Sequence, residues 1–235
     1  MICCLHQPSY FPWLGLLDKI AKTDVFVLLD DVQLSKGTYQ YRNIFLHEGQ
    51  PKFLTLPLKT KLGAKFCELE FRDSNWRDEH LVKLQNYYLK APFFKEIYPL
   101  LQSFYAVPYR SPLDALIASM KFCLNQLQIP TSFVLKSSLP AITGLKGEMV
   151  LNTCLALGAS DYLAGQGSYK YMQEYLDAFK KSGVHLHWHR FIHPVYQQNP
   201  QYPFVMGLSC LDALFYLGSV GVKLLFWDNL SDTNA

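Results

Sequence analysis

Charge is scarce in this 235-residue chain: 17% of residues are Asp, Glu, Lys or Arg, and the formal balance is +3. Lys and Arg form no patch, which disfavours nucleic acid as the main partner. No apolar stretch approaches the roughly 18 to 20 residues that span a bilayer, so no transmembrane segment is expected. The opening, Met1 to Trp13, lacks the basic flank, long apolar stretch and small-residue cleavage site of a secretory signal, and the expected location is the cytoplasm. The six cysteines (Cys3, Cys4, Cys67, Cys123, Cys154, Cys210) show no CxxC spacing. That leaves zinc-finger and redox motifs unsupported and favours buried free thiols. Internal repeats and low-complexity segments are missing too. What is plentiful is apolar: half the residues are hydrophobic and 15% aromatic, enough for a sizeable core everywhere except the polar end, Ser231 to Ala235.

Patterning predicts a βα rhythm at both ends of the chain. Ile2 to Leu5 and Val25 to Leu29 are continuous apolar runs of the kind parallel sheets use, joined by a helix from Leu14 to Lys22. Asn43 to His47 and Phe53 to Leu58 read as two strands about a Glu48-Gly49-Gln50-Pro51 turn, and Cys67 to Phe71 alternates like another strand. Trp76 to Gln128 is helical, with a Ser111 cap and Pro112 at the first helical position. Then follow a strand at Phe133 to Lys136, a helix at Gly147 to Leu157 ended by Gly158, and a strand at Tyr162 to Ala164. A helix at Tyr169 to Lys181, a strand at Val184 to Arg190 and a last helix at Leu208 to Leu217 complete the pattern. The expected architecture is α/β with a mainly parallel sheet, one domain over residues 1–235. Its core would come from 1–72 and 130–230, and 74–128 would form a helical insertion.

Ligands of open parallel sheets bind outside the carboxyl ends of the strands. Polar residues that follow apolar strands are therefore site candidates. His6 and Gln7 follow the first strand, and Asp30, Asp31 and Gln33 the second. Ser137 and Ser138 follow the Phe133 strand, and Gly165 to Ser168 the Tyr162 strand, while His193 lies beyond the last strand. Each has a plainer reading. His6 can hydrogen-bond a loop, Asp30-Asp31 can cap a turn, and a lone GxGS is a weak anion signature. Two adjacent carboxylates repel unless a cation intervenes, and Lys36, Arg42 or a metal ion would supply it. One carboxylate should face the cleft and the other cap the turn. The three imidazoles His185, His187 and His189 read as a solvated strand face, since no ligand partners stand nearby in sequence; no metal site is assigned.

His6-Gln7-Pro8, Pro12-Trp13-Leu14-Gly15, Asp18-Lys19-Ile20, Asp24-Val25-Phe26-Val27 and Asp30-Asp31-Val32-Gln33 together resemble the opening of the WbqC-like proteins. The likeness continues through Ser35-Lys36, Arg42-Asn43 and Leu54-Thr55-Leu56-Pro57. It returns at Leu157-Gly158-Ala159, His193-Pro194-Val195-Tyr196 and Leu208-Ser209, so it covers nearly the whole chain. One departure is Gly37-Thr38-Tyr39, where the family usually carries a basic or aromatic pair; it bears on substrate identity. A remoter likeness is to nucleotidyltransferases of the HIGH-motif superfamily, a Rossmann variant. The positions of their two histidines are here Trp13 and Leu16, so His6 would have to substitute.

The family resemblance implies a role beside surface-polysaccharide (O-antigen) biosynthesis, with transfer of an amino acid such as glycine onto a sugar. The expected activity is an acyl or aminoacyl transferase or ligase acting on an amino or hydroxyl group of a sugar precursor. Its partners would be a sugar or sugar nucleotide and an activated acyl donor, its cofactor ATP or another nucleotide with a divalent cation. His6, Asp30 and Asp31 would be catalytic, His6 as general base. Gln7, Gln33, Ser35, Lys36, Arg42, Asn43, Gly165, Ser168, His193 and Tyr196 would bind substrate. The competing reading is a non-catalytic partner that binds a nucleotide or sugar nucleotide for a polysaccharide-biosynthesis enzyme.

Overall fold

A computed structural model describes residues 1–35, 39–59 and 63–231, with side chains through 225. Lys36, expected to bind substrate, and Gly37-Thr38 of the departing loop lie outside the described residues. In chain order the first elements are β1 (Ile2–His6), α1 (Leu14–Ala21), β2 (Val25–Leu28), β3 (Arg42–His47), β4 (Gln50–Thr55), β5 (Leu58–Lys59) and β6 (Glu70–Phe71). Then come α2 (Trp76–Tyr88), α3 (Phe94–Ala106), α4 (Pro112–Gln126), β7 (Ser132–Leu135), α5 (Lys146–Leu157) and β8 (Asp161–Ala164). The last are α6 (Tyr169–Met172), α7 (Leu176–Lys181), β9 (His185–Trp188) and α8 (Cys210–Ser231). The chain forms two compact units, and the boundary between them falls inside α1, after Leu17.

The first unit comprises residues 1–7, 18–32 and 129–191. It holds a five-stranded sheet in the order β7-β2-β1-β8-β9, with every neighbouring pair parallel. The α/β fold with a mainly parallel sheet is thus the observed one, and β1 and β2 are parallel neighbours, Cys3 opposite Val25 through His6 opposite Leu28. Counted along the chain, the sheet strands run 3-2-1-4-5, the doubly wound Rossmann-like order. Alternation puts Cys3 and Leu5 of β1, Val27 of β2, and Tyr162 and Ala164 of β8 on one face. They pack there with Val150, Leu151 and Cys154 of α5, Met172 of α6 and Phe179 of α7. Gly158 ends α5 in the left-handed region, at φ 66°.

The second unit comprises residues 8–17, 33–128 and 192–235. β3 and β4 form an antiparallel hairpin whose two turn residues, Glu48 and Gly49, both have positive φ (50° and 72°). That is the type I′ geometry favoured by the strand twist. The helices of 74–128 do not stand alone here: α2 packs on β3, and α3 and α4 pack on α8. Tyr88 stacks on Phe215 with ring centroids 4.3 Å apart.

Several expected elements differ. Phe53 to Leu58 is not one strand: β4 runs Gln50–Thr55 and Leu58 opens β5. Cys67 to Phe71 is not one strand: Phe66–Glu68 forms a 3-10 turn before the two-residue β6, held by Glu68 Oε2 accepting the Lys65 N–H at 2.9 Å. Tyr169 to Lys181 is broken by a 3-10 turn at Gln173–Tyr175. The last helix starts two residues late and runs on to Ser231, changing course at Gly218 (φ 67°, ψ 172°). Among the described residues no helix is long and apolar enough to cross a membrane.

Candidate functional site

In the first unit, the chain leaves β1 for β2 and β7 on one side, and returns to β8 and β9 on the other. The switch point therefore lies at the carboxyl ends of β1 and β8, where doubly wound sheets hold their ligands. His6 ends β1 and Gly165 follows β8.

His6 is half-buried, and its Nδ1 lies 2.8 Å from the Gln7 carbonyl. A carbonyl only accepts, so Nδ1 carries the proton and the Nε2 lone pair remains an acceptor. Burial, reinforced by the charge of Lys19 and opposed by the Gln7 bond, lowers its pKa to about 4. His6 is neutral at physiological pH.

Lys19, on α1, is 4% exposed. Its ammonium donates to Leu5 O at 3.0 Å, on β1 itself, and it makes no ion pair among the described residues. Burial lowers its pKa, against the pull of Cys4 and Cys3. Gly165 stands over it: a Cβ at that position would lie 3.7 Å from Lys19 Nζ.

Asp18, the neighbouring residue of α1, is 1% exposed. Its Oδ2 accepts from His189 Nε2 at 2.6 Å and from Lys22 Nζ at 3.0 Å, while Oδ1 has no hydrogen-bond partner among the described residues. The chain just past β9 is fastened to this cluster: His189 N–H donates to Ala164 O at 2.8 Å, and Gln166 Nε2 donates to His189 O at 3.0 Å.

At the β2 end, Asp30 is buried and accepts the Ser137 N–H at 3.0 Å and the Ser137 hydroxyl. Asp31 pairs with Lys136 Nζ at 2.6 Å. Both carboxylates are thus bound to residues that follow β7, on the neighbouring strand. One does bind a backbone N–H as expected, but that group comes from Ser137, and the cation beside the other is Lys136. Asp30 and Asp31 so engaged do not offer a divalent cation two open carboxylates. No group of three His, Cys, Asp or Glu able to hold a metal occurs among the described residues. Ser168 closes its own turn, its hydroxyl donating to Gly165 O at 2.7 Å.

The remaining expected residues belong to the second unit. Gln33 bridges Lys65 and the Ser35 N–H donates to Gln40 Oε1 at 3.3 Å. The Arg42 guanidinium sits 4.5 Å from the Phe53 ring centroid. Asn43 is buried and donates to Tyr10 O and Phe11 O at 3.1 and 2.7 Å, which fixes the backbone of that loop. His193 Nδ1 donates to Pro194 O at 2.8 Å while Nε2 accepts the Gly207 N–H at 3.1 Å. Tyr196 donates to the buried Asp212 at 2.8 Å, which also accepts from Tyr88 and Gln198. A cleft of about 590 Å³ in this unit is lined by Tyr87, Tyr202, Tyr216, Asn86 and Gln197 among others, and by none of the expected site residues.

The imidazole run is not one solvated face. His185 and His187 are exposed, His187 bonding Asp161 at 2.7 Å, but His189 lies beyond β9 and is buried against Asp18. Asp18, Lys19 and His189 are the site residues that strand-end reasoning missed. α1 reads LGLLDKIA, a sided helix whose two adjacent charges read as its solvent-facing stripe, so no local signal marked them as buried.

The profile of the WbqC-like protein family matches residues 7–223. An uncharacterized protein of Mycobacterium tuberculosis, Rv1507c, is 27% identical over 218 residues, covering 91% of this chain and 92% of that protein. No solved structure matches.

Proposed function

Because the chain belongs to the WbqC-like protein family, and because a neutral histidine ends the first strand at the switch point of a doubly wound sheet, we propose that it is a transferase or ligase. It passes an acyl or aminoacyl group of about the size of glycine to an amino or hydroxyl group of a sugar precursor of surface polysaccharide. The observation that carries this reading is His6: Nδ1–H held by the Gln7 carbonyl, Nε2 an acceptor, the ring uncharged at neutral pH.

In the step this arrangement supports, the acceptor nitrogen or oxygen attacks the carbonyl carbon of the activated donor as His6 Nε2 takes its proton. The bond from that carbon to the donor's leaving group breaks, and the imidazolium returns the proton to the leaving group. The low pKa keeps His6 in the base form before the step and makes the transient imidazolium a ready acid after it. Gln7 and the Gly165 to Ser168 turn flank the reacting groups, while Asp30 and Asp31 act as positioning residues that fasten the β2 end to the β7 end.

The test is turnover of sugar nucleotides with activated aminoacyl donors. His6→Gln should lose about 100-fold or more in kcat while melting and binding ligands like the parent. Near-normal turnover in His6→Gln would leave the non-catalytic partner role as the better reading.

A further inference from the structure

We infer that Lys19 is the anchor of an oxyanion seat in the switch-point crevice, and that the group it receives is a phosphoryl group. As a statement about the donor this rests on the transfer reading above; as a binding site it stands on the first unit's geometry alone.

The ammonium of Lys19 is almost closed from solvent, yet it meets one acceptor, a neutral backbone carbonyl at 3.0 Å. The other two N–H groups have no protein acceptor among the described residues. The nearest carboxylate in sequence, Asp18, is committed to Lys22 and His189, and consecutive helix residues point about 100° apart. His6, the ionisable neighbour on β1, is neutral and adds no negative charge. A buried cation without a counter-charge is costly to a fold, and a strut to Leu5 O needs no charge at all. A lysine kept at that cost fits a site whose counter-charge arrives with the ligand.

The surroundings favour phosphate over carboxylate. A lysine is a point charge with divergent donors, suited to a tetrahedral oxyanion, whereas planar carboxylates are best matched by the arginine fork. Beside Nζ stands Gly165, where a Cβ would lie 3.7 Å from it and whose φ of −76° and ψ of 149° any residue could adopt. Glycine is therefore not required there by backbone conformation, and its missing side chain is what leaves room for a ligand. At Gly167, two residues on, a Cβ would meet nothing within 4 Å among the described residues.

The experiment uses the full chain with inorganic phosphate and pyrophosphate as probes, and acetate and chloride as comparators, followed by thermal shift and calorimetry. The parent should be stabilised by the phosphates and not by the comparators. Lys19→Met should melt at or above the parent without ligand and weaken pyrophosphate binding at least tenfold. Gly165→Val, whose backbone suits a branched residue, should keep the fold and show the same loss. His6→Gln should retain pyrophosphate binding whatever becomes of its turnover, which separates this inference from the transfer reading. Should Lys19→Met fail to fold, Gly165→Val decides, together with the side-chain 15N resonance of Lys19 in the parent, which should move on titration with pyrophosphate. Pyrophosphate binding unchanged in Gly165→Val, protection by acetate or chloride equal to that by phosphate, or a Lys19 resonance indifferent to pyrophosphate would each overturn the assignment.

Discussion

His189 Nε2 lies 2.6 Å from Asp18 Oδ2, and the two side chains are 9% and 1% exposed. Residues 171 positions apart in sequence thereby fasten the end of β9 to α1. Removing one partner of a buried hydrogen-bonded pair leaves the other desolvated and unpaired, which is where the large losses arise. Asp18→Ala should cost about 3 kcal/mol, read as a lowered urea midpoint at unchanged m-value. Paired with His189→Phe, the losses should be less than additive. A cost under about 1 kcal/mol would mean the pair behaves like an exposed contact.

Asp30 and Asp31 bond to consecutive residues of the chain after β7 but by different chemistry, and the two should separate experimentally. Asp30 accepts twice from Ser137, so Asp30→Ala orphans one backbone and one hydroxyl donor and should cost about 1–3 kcal/mol. Asp31→Asn removes the counter-charge of a Lys136 side chain that is 9% exposed. Its cost should shrink when Lys136→Met is added, since the orphaned ammonium is then gone. Guanidinium unfolding of the two singles and the double measures this. An Asp31→Asn cost that Lys136→Met leaves unchanged would show that the ion pair is not what Asp31 contributes.

Gly49 offers a test in the second unit. Its φ is 72°, and a Cβ there would come 2.5 Å from the Tyr202 ring. Gly49→Ala meets both the left-handed backbone penalty of about 1–2 kcal/mol and that contact, so it should melt well below the parent. Tyr202→Ala should recover part of the loss by removing the ring. Thermal melts of the two singles and the double measure both terms.

What was legible in the sequence was whatever depends on local pattern. β1, α1 and β2 follow from two apolar runs and one periodic helix, and their parallel pairing from the connection between them. The same logic placed His6 and Asp30 at strand ends, because a chain leaving a buried parallel strand turns polar there. Lys19 and His189 were not legible in this way. Lys19 sits inside a helix, where a charged residue reads as solvent-facing until the neighbouring strand carbonyl is known. His189 alternates with two exposed histidines, and only Asp18, far off in sequence, distinguishes it from them. The 3-10 break at Gln173–Tyr175 has no glycine or proline to announce it.

The pH dependence of stability follows from three buried groups whose shifts oppose one another. His6 and His80 are each lowered from 6.5 to about 4, chiefly by burial. The unfolded chain therefore takes up these two protons below pH 6.5 while the folded one does not, and stability falls as pH drops from 6.5 towards 4. Each contributes a loss of about 3 kcal/mol over that span. Asp212 acts the other way. Burial raises it from 3.8 to about 6 despite the bonds from Tyr196, Tyr88 and Gln198. The folded state binds that proton first, which returns about 3 kcal/mol as pH falls from 6 to 3.8. Asp161, lowered by its Ser160 and His187 bonds, matters only below 3.8 and so outside this window. The three together should leave a net loss of about 3 kcal/mol between pH 6.5 and 4. His80→Gln should flatten the profile almost completely, and Asp212→Asn should roughly double its fall. Urea unfolding at half-unit pH steps measures all three slopes. A parent profile that rises on acidification, or an Asp212→Asn profile parallel to the parent's, would mean that Asp212 is not the group that offsets the histidines.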